Sequence, residues 1–127
     1  MRPGLLCLPD VRLPDLRQWD IVRVRIRPTD KDEPPAVLVS NDEICADERY
    51  RVLNVVYGRT RRAGQTMRAH EVVLNGADGF ERPTVFSCHH LYTVERAKIS
   101  ARLGEVTRER RRQLGRATVA TYRLPLA

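Results

Sequence analysis

The sequence predicts a mainly β fold with one late helix: a small, mostly antiparallel barrel or curled sheet with the helix packed on it. Three observations carry this. Short runs rich in Val, Ile, Leu and Tyr recur between connections rich in Pro, Gly and charge. One of them, IVRVRIR at 21–27, alternates with the period of a half-buried strand. The one sustained helical window comes last, after Thr107.

With 127 residues, 42% of them hydrophobic, the chain suffices for one globular domain with a single core and falls short of two. The expected division is an extended N-terminal arm at 1–16, a domain at 17–121 and a tail at 122–127. Pro3, Pro9 and Pro14 keep the arm out of regular structure. Its apolar run, Leu5 to Leu8, ends at Pro9, so neither a secretory leader nor a membrane span is expected there.

In order along the chain, 21–27 is the first strand, with Val22, Val24 and Ile26 inward, Arg23, Arg25 and Arg27 outward, and Ile21 outside the pattern. PTDKDEPP (28–35) reads as a loop and AVLVS (36–40) as a central strand. Asn41 and Asp42 can cap a short helix over 42–48, and YRVLNVVY (50–57) is another strand. GRTRRAGQTMR (58–68) carries four Arg and no acid, which predicts a flexible basic loop. HEVVL (70–74) and TVFSCHH (84–90) are strands joined by the turn-rich NGADGFERP (75–83), and ISARLGEV (99–106) adds a last one. Thr107 caps a helix over 108–121 whose weakly apolar side is Leu114, Ala117, Val119 and Ala120. Its first turns, RERRR (108–112), put positive charge where the helix dipole disfavours it. That leaves either a solvated face or a partner surface.

The net charge of +7 is carried almost wholly by Arg, since Lys31 and Lys98 are the only lysines among 23 basic residues. Arg gives forked contacts to phosphate and stacks on bases, so the balance favours a nucleic-acid or other acidic partner, against the plainer reading of a solvated basic surface. Cys7, Cys45 and Cys88 are odd in number and widely spaced, without a CxxC pair. They predict free thiols in a reducing cytosol and neither a disulfide framework nor a zinc knuckle.

His89 and His90 are adjacent at the end of an apolar run. On a strand, neighbours point to opposite faces, so at most one of them faces the core and the two are not expected to act as one unit. His70 opens a strand and reads as a packing residue. A His70/Cys88/His89 metal site has no support in the spacing, and no metal or other cofactor is expected.

Four stretches, WDIVRVRIRPT (19–29), PPAVLVS (34–40), HEVVLNGADGFERPTVF (70–86) and CHHLYTVERAKISARLGEV (88–106), resemble in order and spacing the MazF/PemK-type toxins, the ribonuclease half of bacterial toxin–antitoxin pairs. The run LYTVERAKI followed by RLGEV carries the likeness furthest. The resemblance covers roughly residues 19–121. It implies an SH3-like small antiparallel barrel (MazF/PemK/CcdB-like) with a C-terminal helix, a homodimer, and metal-independent cleavage of single-stranded RNA. In that reaction the ribose 2′-hydroxyl attacks the neighbouring phosphate and leaves a cyclic phosphate and a 5′-hydroxyl. It needs a base, an acid and a positive donor for the phosphorane charge.

The family's catalytic set is displaced in this chain. The position matching its Arg before the second strand is Pro34, its hydroxyl position falls in GRTRR where only Thr60 has a hydroxyl, and its acidic position carries His89-His90. The resemblance therefore implies catalysis by His89 and Thr60 with Arg59, Arg61 or Arg62 as phosphate clamp, and RNA binding by Arg62, Arg68, Arg23, Arg25, His90 and Tyr57. An imidazole, with an ordinary pKa near 6.5, serves as acid or base near neutral pH. Each residue also has a plainer role: a satisfied or surface histidine, a solvated Arg, a turn hydroxyl at Thr29, solvating acids at Asp32 and Glu33, a core or interface aromatic at Trp19.

Three readings follow. One is a sequence-selective cytoplasmic endoribonuclease toxin restrained by a cognate antitoxin protein that covers the basic groove. The second is a catalytically silent nucleic-acid binder of the same fold. The third is a protein-targeting toxin, disfavoured because TYRLPLA lacks the terminal Trp-Gly-Ile of that branch. A membrane partner is not expected.

Overall fold

The computed structural model describes residues 15–25 and 33–122. The expected arm up to residue 14, the loop residues 26–32 (Ile26, Arg27, Thr29 and Asp32 among them) and the tail from 123 lie outside the described residues. Seven strands and two α-helices follow in the order β1 (Asp20–Val24), β2 (Pro35–Leu38), α1 (Asp42–Ala46), β3 (Val52–Thr60), β4 (Glu71–Leu74), β5 (Thr84–Ser87), β6 (Tyr92–Glu95), β7 (Ile99–Glu105) and α2 (Arg108–Tyr122). All pairings are antiparallel, in the order β4-β5-β3-β2-β1-β7. The long β3 does double duty on one edge: Val52–Val55 pair with β6, and Gly58–Thr60 pair with β5.

β1 differs from its expected form. Ile21, read as outside the pattern, is buried like Val22 and Val24. Ile21 packs with Val37, Val56 and Phe86 on the face toward α2, while Val22 and Val24 pack with Leu38, Leu53 and Val55 on the other. A central strand is buried on both faces, so alternation understated its apolar content. Each fully buried Val, Leu, Ile or Phe contributes roughly 1.5–3 kcal/mol relative to exposure.

The basic segment expected to be a loop from residue 58 is strand as far as Thr60. Gly58 permits this: a Cβ there would lie 2.6 Å from Phe86 Cζ and 2.8 Å from Thr84 Cγ2. The sheet accepts Phe86 across from β3 only because that position has no side chain. β6, unassigned by periodicity, forms because Leu53 and Val55 leave an edge that Tyr92–Glu95 completes.

Arg96 closes this region. Its guanidinium donates to the carbonyls of Ile44, Cys45, Asp47 and Tyr50 at 2.8–3.0 Å. The short α1 has no basic residue in its last turn, so Arg96, from 50 residues downstream, satisfies the orphan carbonyls. Asn41 caps the other end, accepting from the Ile44 N–H.

α2 docks through Leu114, fully buried, with Ala117 partly so. Val119, expected on the apolar side, is 73% exposed, a position the helical twist carries past the seam. Thr107 accepts from the Arg110 N–H as expected of the cap. Part of the misplaced RERRR charge is explained: Arg110 pairs with the buried Asp78 at 3.2 Å, and Arg111 bonds the Val106 carbonyl and Glu105. The Trp19 ring lies over Gly115 of α2. Its backbone, at φ 74°, is in a region costly for a bulky residue, held by Trp19 N–H to Leu38 O and Val106 N–H to Trp19 O at 2.7 and 2.9 Å.

Candidate active site

In the β4–β5 hairpin, Glu71 stands opposite Ser87 and Val73 opposite Val85. One step beyond, the Cys88 N–H donates to the His70 carbonyl at 2.9 Å. This register brings His70 to His89, with ring centroids 4.0 Å apart at 57°. The chain turns at Cys88 and His89. His90 follows 6.1 Å from His89 and stacks on Tyr92 at 4.2 Å and 15°. Tyr57 meets the Tyr92 ring edge-on at 4.8 Å and packs against the core. Five rings thus form a continuous row, His70, His89, His90, Tyr92, Tyr57.

Of the two adjacent histidines, at most one of which was expected to face the core, neither turns inward. β5 ends at Ser87, Cys88 takes the buried position, and both histidines, lying in the turn, are exposed. His70, read as a packing residue, is the nearest ring to His89.

Arg59 and Tyr57 point to one face of β3 and Thr60 to the other. Arg59 reaches Glu71 at 3.3 Å, and the second oxygen of Glu71 accepts the Arg68 N–H at 2.9 Å. Glu71, the first residue of β4, therefore ties β3 to the 61–70 loop, whose last residue is His70. The surroundings favour a neutral His89: its pKa is lowered from the ordinary imidazole value, first by loss of water around the ring, then by repulsion from His70 and His90, with Glu71 opposing and Arg68 adding to the effect. Burial raises the Tyr57 pKa, which keeps its phenol protonated.

The other expected site residues lie apart from this row. Thr60 pairs with Thr84 at the far end of β3. Arg61 is engaged through its N–H to Pro83 O and its guanidinium to Gln65 O, and Arg62 gives its N–H to the Gln65 side chain. Arg23 and Arg25 are borne by the β1 segment, with β2 between it and β3. Arg25 is paired with Glu33 at 2.9 Å, and Glu33 also accepts from Ser100 Oγ. Ser100, then Arg25, hold the Glu33 carboxyl below its ordinary pKa, so it is a tied anion and not a free base. Among the described residues no three His, Cys, Asp or Glu side chains converge in a way that suits a metal.

Glu71 and Tyr92 escaped the sequence reading, and His70 was assigned elsewhere. Hairpin register was the available signal: pairing 70–74 against 84–88 across the turn sets His70 beside Cys88 and His89.

A profile of the family described as PemK-like, MazF-like toxin of type II toxin-antitoxin system matches residues 17–120. Among solved structures, the chain is similar to an "Endoribonuclease from Mycobacterial species" (TM-score 0.71, 17% identity, 89% of this chain and 96% of that one). It is also similar to "Mycobacterium tuberculosis toxin MazF-mt6" (TM-score 0.68, 17% identity, 84% and 98%). A third is an "Endoribonuclease in complex with its cognate antitoxin from Mycobacterial species" (TM-score 0.69, 16% identity, 89% and 98%). At these identities the likeness is one of fold; no curated protein sequence matches. The seven-stranded antiparallel sheet with its C-terminal helix and the profile match over most of the length lead to one conclusion: the chain belongs to the PemK-like, MazF-like toxin family of type II toxin–antitoxin systems.

Proposed function

We propose that this toxin is a metal-independent, sequence-selective endoribonuclease that cleaves single-stranded RNA by attack of the ribose 2′-hydroxyl on the adjacent phosphate. The observation that carries the reading is the run of His70, His89 and His90, with Glu71 and Arg68 close enough to act on His89 and Glu71 in turn holding the Arg59 guanidinium. Imidazoles move the two protons, and guanidiniums meet the phosphorane charge. In this reading His89 works in proton transfer and Arg59 clamps the phosphate. Arg68 and the Tyr57–Tyr92 pair hold backbone and bases. Thr60, Arg61, Arg62, Arg23 and Arg25 act farther out along the strand. Similar mycobacterial structures are described as endoribonucleases, one with its cognate antitoxin; a homodimer restrained by an antitoxin is the corresponding expectation here. Among the described residues no helix is long and apolar enough to cross a membrane, and the proposed place of action is the cytoplasm.

The test is incubation of the purified protein with mixed RNA in EDTA, mapping new 5′-hydroxyl ends, with His89→Ala and Arg59→Ala alongside. Site-specific cuts that both variants lose support the reading. Salt-sensitive binding without cuts overturns it in favour of a silent nucleic-acid binder.

A further inference from the structure

We infer that His89 and His90 act together as the base and the acid of the cleavage step, His89 taking the 2′-hydroxyl proton and His90 protonating the departing 5′-oxygen. The inference rests on the ribonuclease reading above and adds to it a division of labour between the two rings.

Geometry separates this pair from the other imidazole contact. Each catalytic nitrogen must come within about 2.6–3.2 Å of its own oxygen. In an in-line displacement the attacking and leaving oxygens lie on opposite sides of phosphorus. The two rings therefore have to flank the phosphate and cannot rest on each other. His70 and His89, at 4.0 Å between centroids, leave no room for a phosphate between them. His89 and His90, at 6.1 Å and 59°, are spread and inclined to each other, and both are exposed to an incoming strand.

Each ring of the pair is also braced from its outer side. His70 packs against His89, and Tyr92 lies flat against His90 while Tyr57 braces Tyr92 from the core. His70 and Tyr92 are thus positioning residues, limiting how far either imidazole can rotate. A neutral His89, favoured by its surroundings, is the form that accepts a proton. The charged and titratable groups facing the pair are His70, Glu71, Arg68 and Tyr92, with Arg59 held behind Glu71 and Tyr57 behind Tyr92.

The step balances within the molecule. The O2′–H bond breaks with its proton passing to His89, the O2′–P bond forms, the P–O5′ bond breaks, and the proton of the His90 imidazolium goes to O5′. The products are a 2′,3′-cyclic phosphate and a 5′-hydroxyl, and solvent exchange restores both rings.

A sulfur in place of the bridging 5′-oxygen leaves without protonation, so it removes the need for an acid and keeps the need for a base. Once the cut site is mapped, single-turnover rates are measured on an oligonucleotide with 5′-oxygen or 5′-sulfur at that bond, for the wild type, His89→Ala and His90→Ala. Binding to the 2′-deoxy analogue is measured in parallel. Expected is a loss of roughly 10²–10⁴-fold for either variant on oxygen. On sulfur, His90→Ala recovers to near the wild-type rate while His89→Ala stays slow, with binding little changed in both. A His90→Ala that is equally slow on both substrates, or as fast as wild type on oxygen, overturns the inference while leaving the ribonuclease reading intact. A wild type that cuts no RNA overturns the reading itself, and the inference with it.

Discussion

Arg59 and Glu71 form an ion pair with unequal ends: the guanidinium is 63% exposed and the carboxylate 5%. The buried end is fixed by a second bond, from the Arg68 backbone N–H, and the Arg is the partner open to solvent. An RNA phosphate reaching Arg59 must compete with that carboxylate. Glu71→Gln keeps an acceptor for the Arg68 N–H and removes the charge. Expected is a several-fold tighter Kd for a non-cleavable RNA and a steeper fall of affinity with salt, read by fluorescence anisotropy. An unchanged Kd would mean that Arg59 does not meet the phosphate.

The same carboxylate bears on His89. Its pKa lies below the ordinary value with Glu71 acting to raise it, so removing the Glu71 charge moves it further down. NMR titration of the imidazole protons is expected to show His89 below about 6.5 in the wild type and lower again in Glu71→Gln. The stability consequence follows from linkage. A histidine with a depressed folded pKa binds fewer protons folded than unfolded, so its contribution is intact above about 6.5 and is lost as pH falls toward the folded value. The acid limb of any cleavage profile should shift the same way in Glu71→Gln.

Gly58 is the point at which β3 passes under Phe86. A Cβ placed 2.6 and 2.7 Å from two ring carbons of a fully buried Phe forces the ring or the strand to move. Gly58→Ala is expected to destabilise the fold by about 1–3 kcal/mol, visible as a lowered urea midpoint with little change in slope. Pairing it with Phe86→Leu tests the cause: if the two effects simply add, the contact is not the source of the loss.

The strand pattern was legible because most strands carry their own apolar runs, and Thr107 announced α2 by its cap. What stayed hidden depended on partners distant in sequence. Ile21 broke an alternation that assumes one solvent face, while β1 has a core on each side. His89 and His90 read as a strand end because nothing local shows that β5 stops at Ser87. His70 needed the hairpin register before it could be set beside them, and Gly58 looked like a loop residue until Phe86 was placed over it. Local periodicity reports burial, whereas a site assembled from β3, two turns and β6 is a product of register.

Arg96 shows how far a basic residue can depart from the surface role its composition suggests. Buried to 9% exposure, it has no carboxylate within salt-bridge distance among the described residues and spends its donors on the carbonyls of Ile44, Cys45, Asp47 and Tyr50. It thereby pins α1 to the start of β3 and to β6, the strand that carries Tyr92. Arg96→Ala strands those acceptors at about 1–3 kcal/mol for each that stays buried without water, so a total loss of roughly 2–5 kcal/mol is expected by chemical denaturation. Arg96→Lys, with three donors on one nitrogen and no planar fork, should recover only part of it. Because Tyr92 sits on the strand Arg96 braces, both variants are also expected to loosen the ring stacked on His90, measurable as a changed His90 imidazole shift at temperatures where the protein is still folded. Full stability in Arg96→Ala would mean that water replaces the guanidinium at these carbonyls and that α1 is held by Cys45 and Ile44 packing alone.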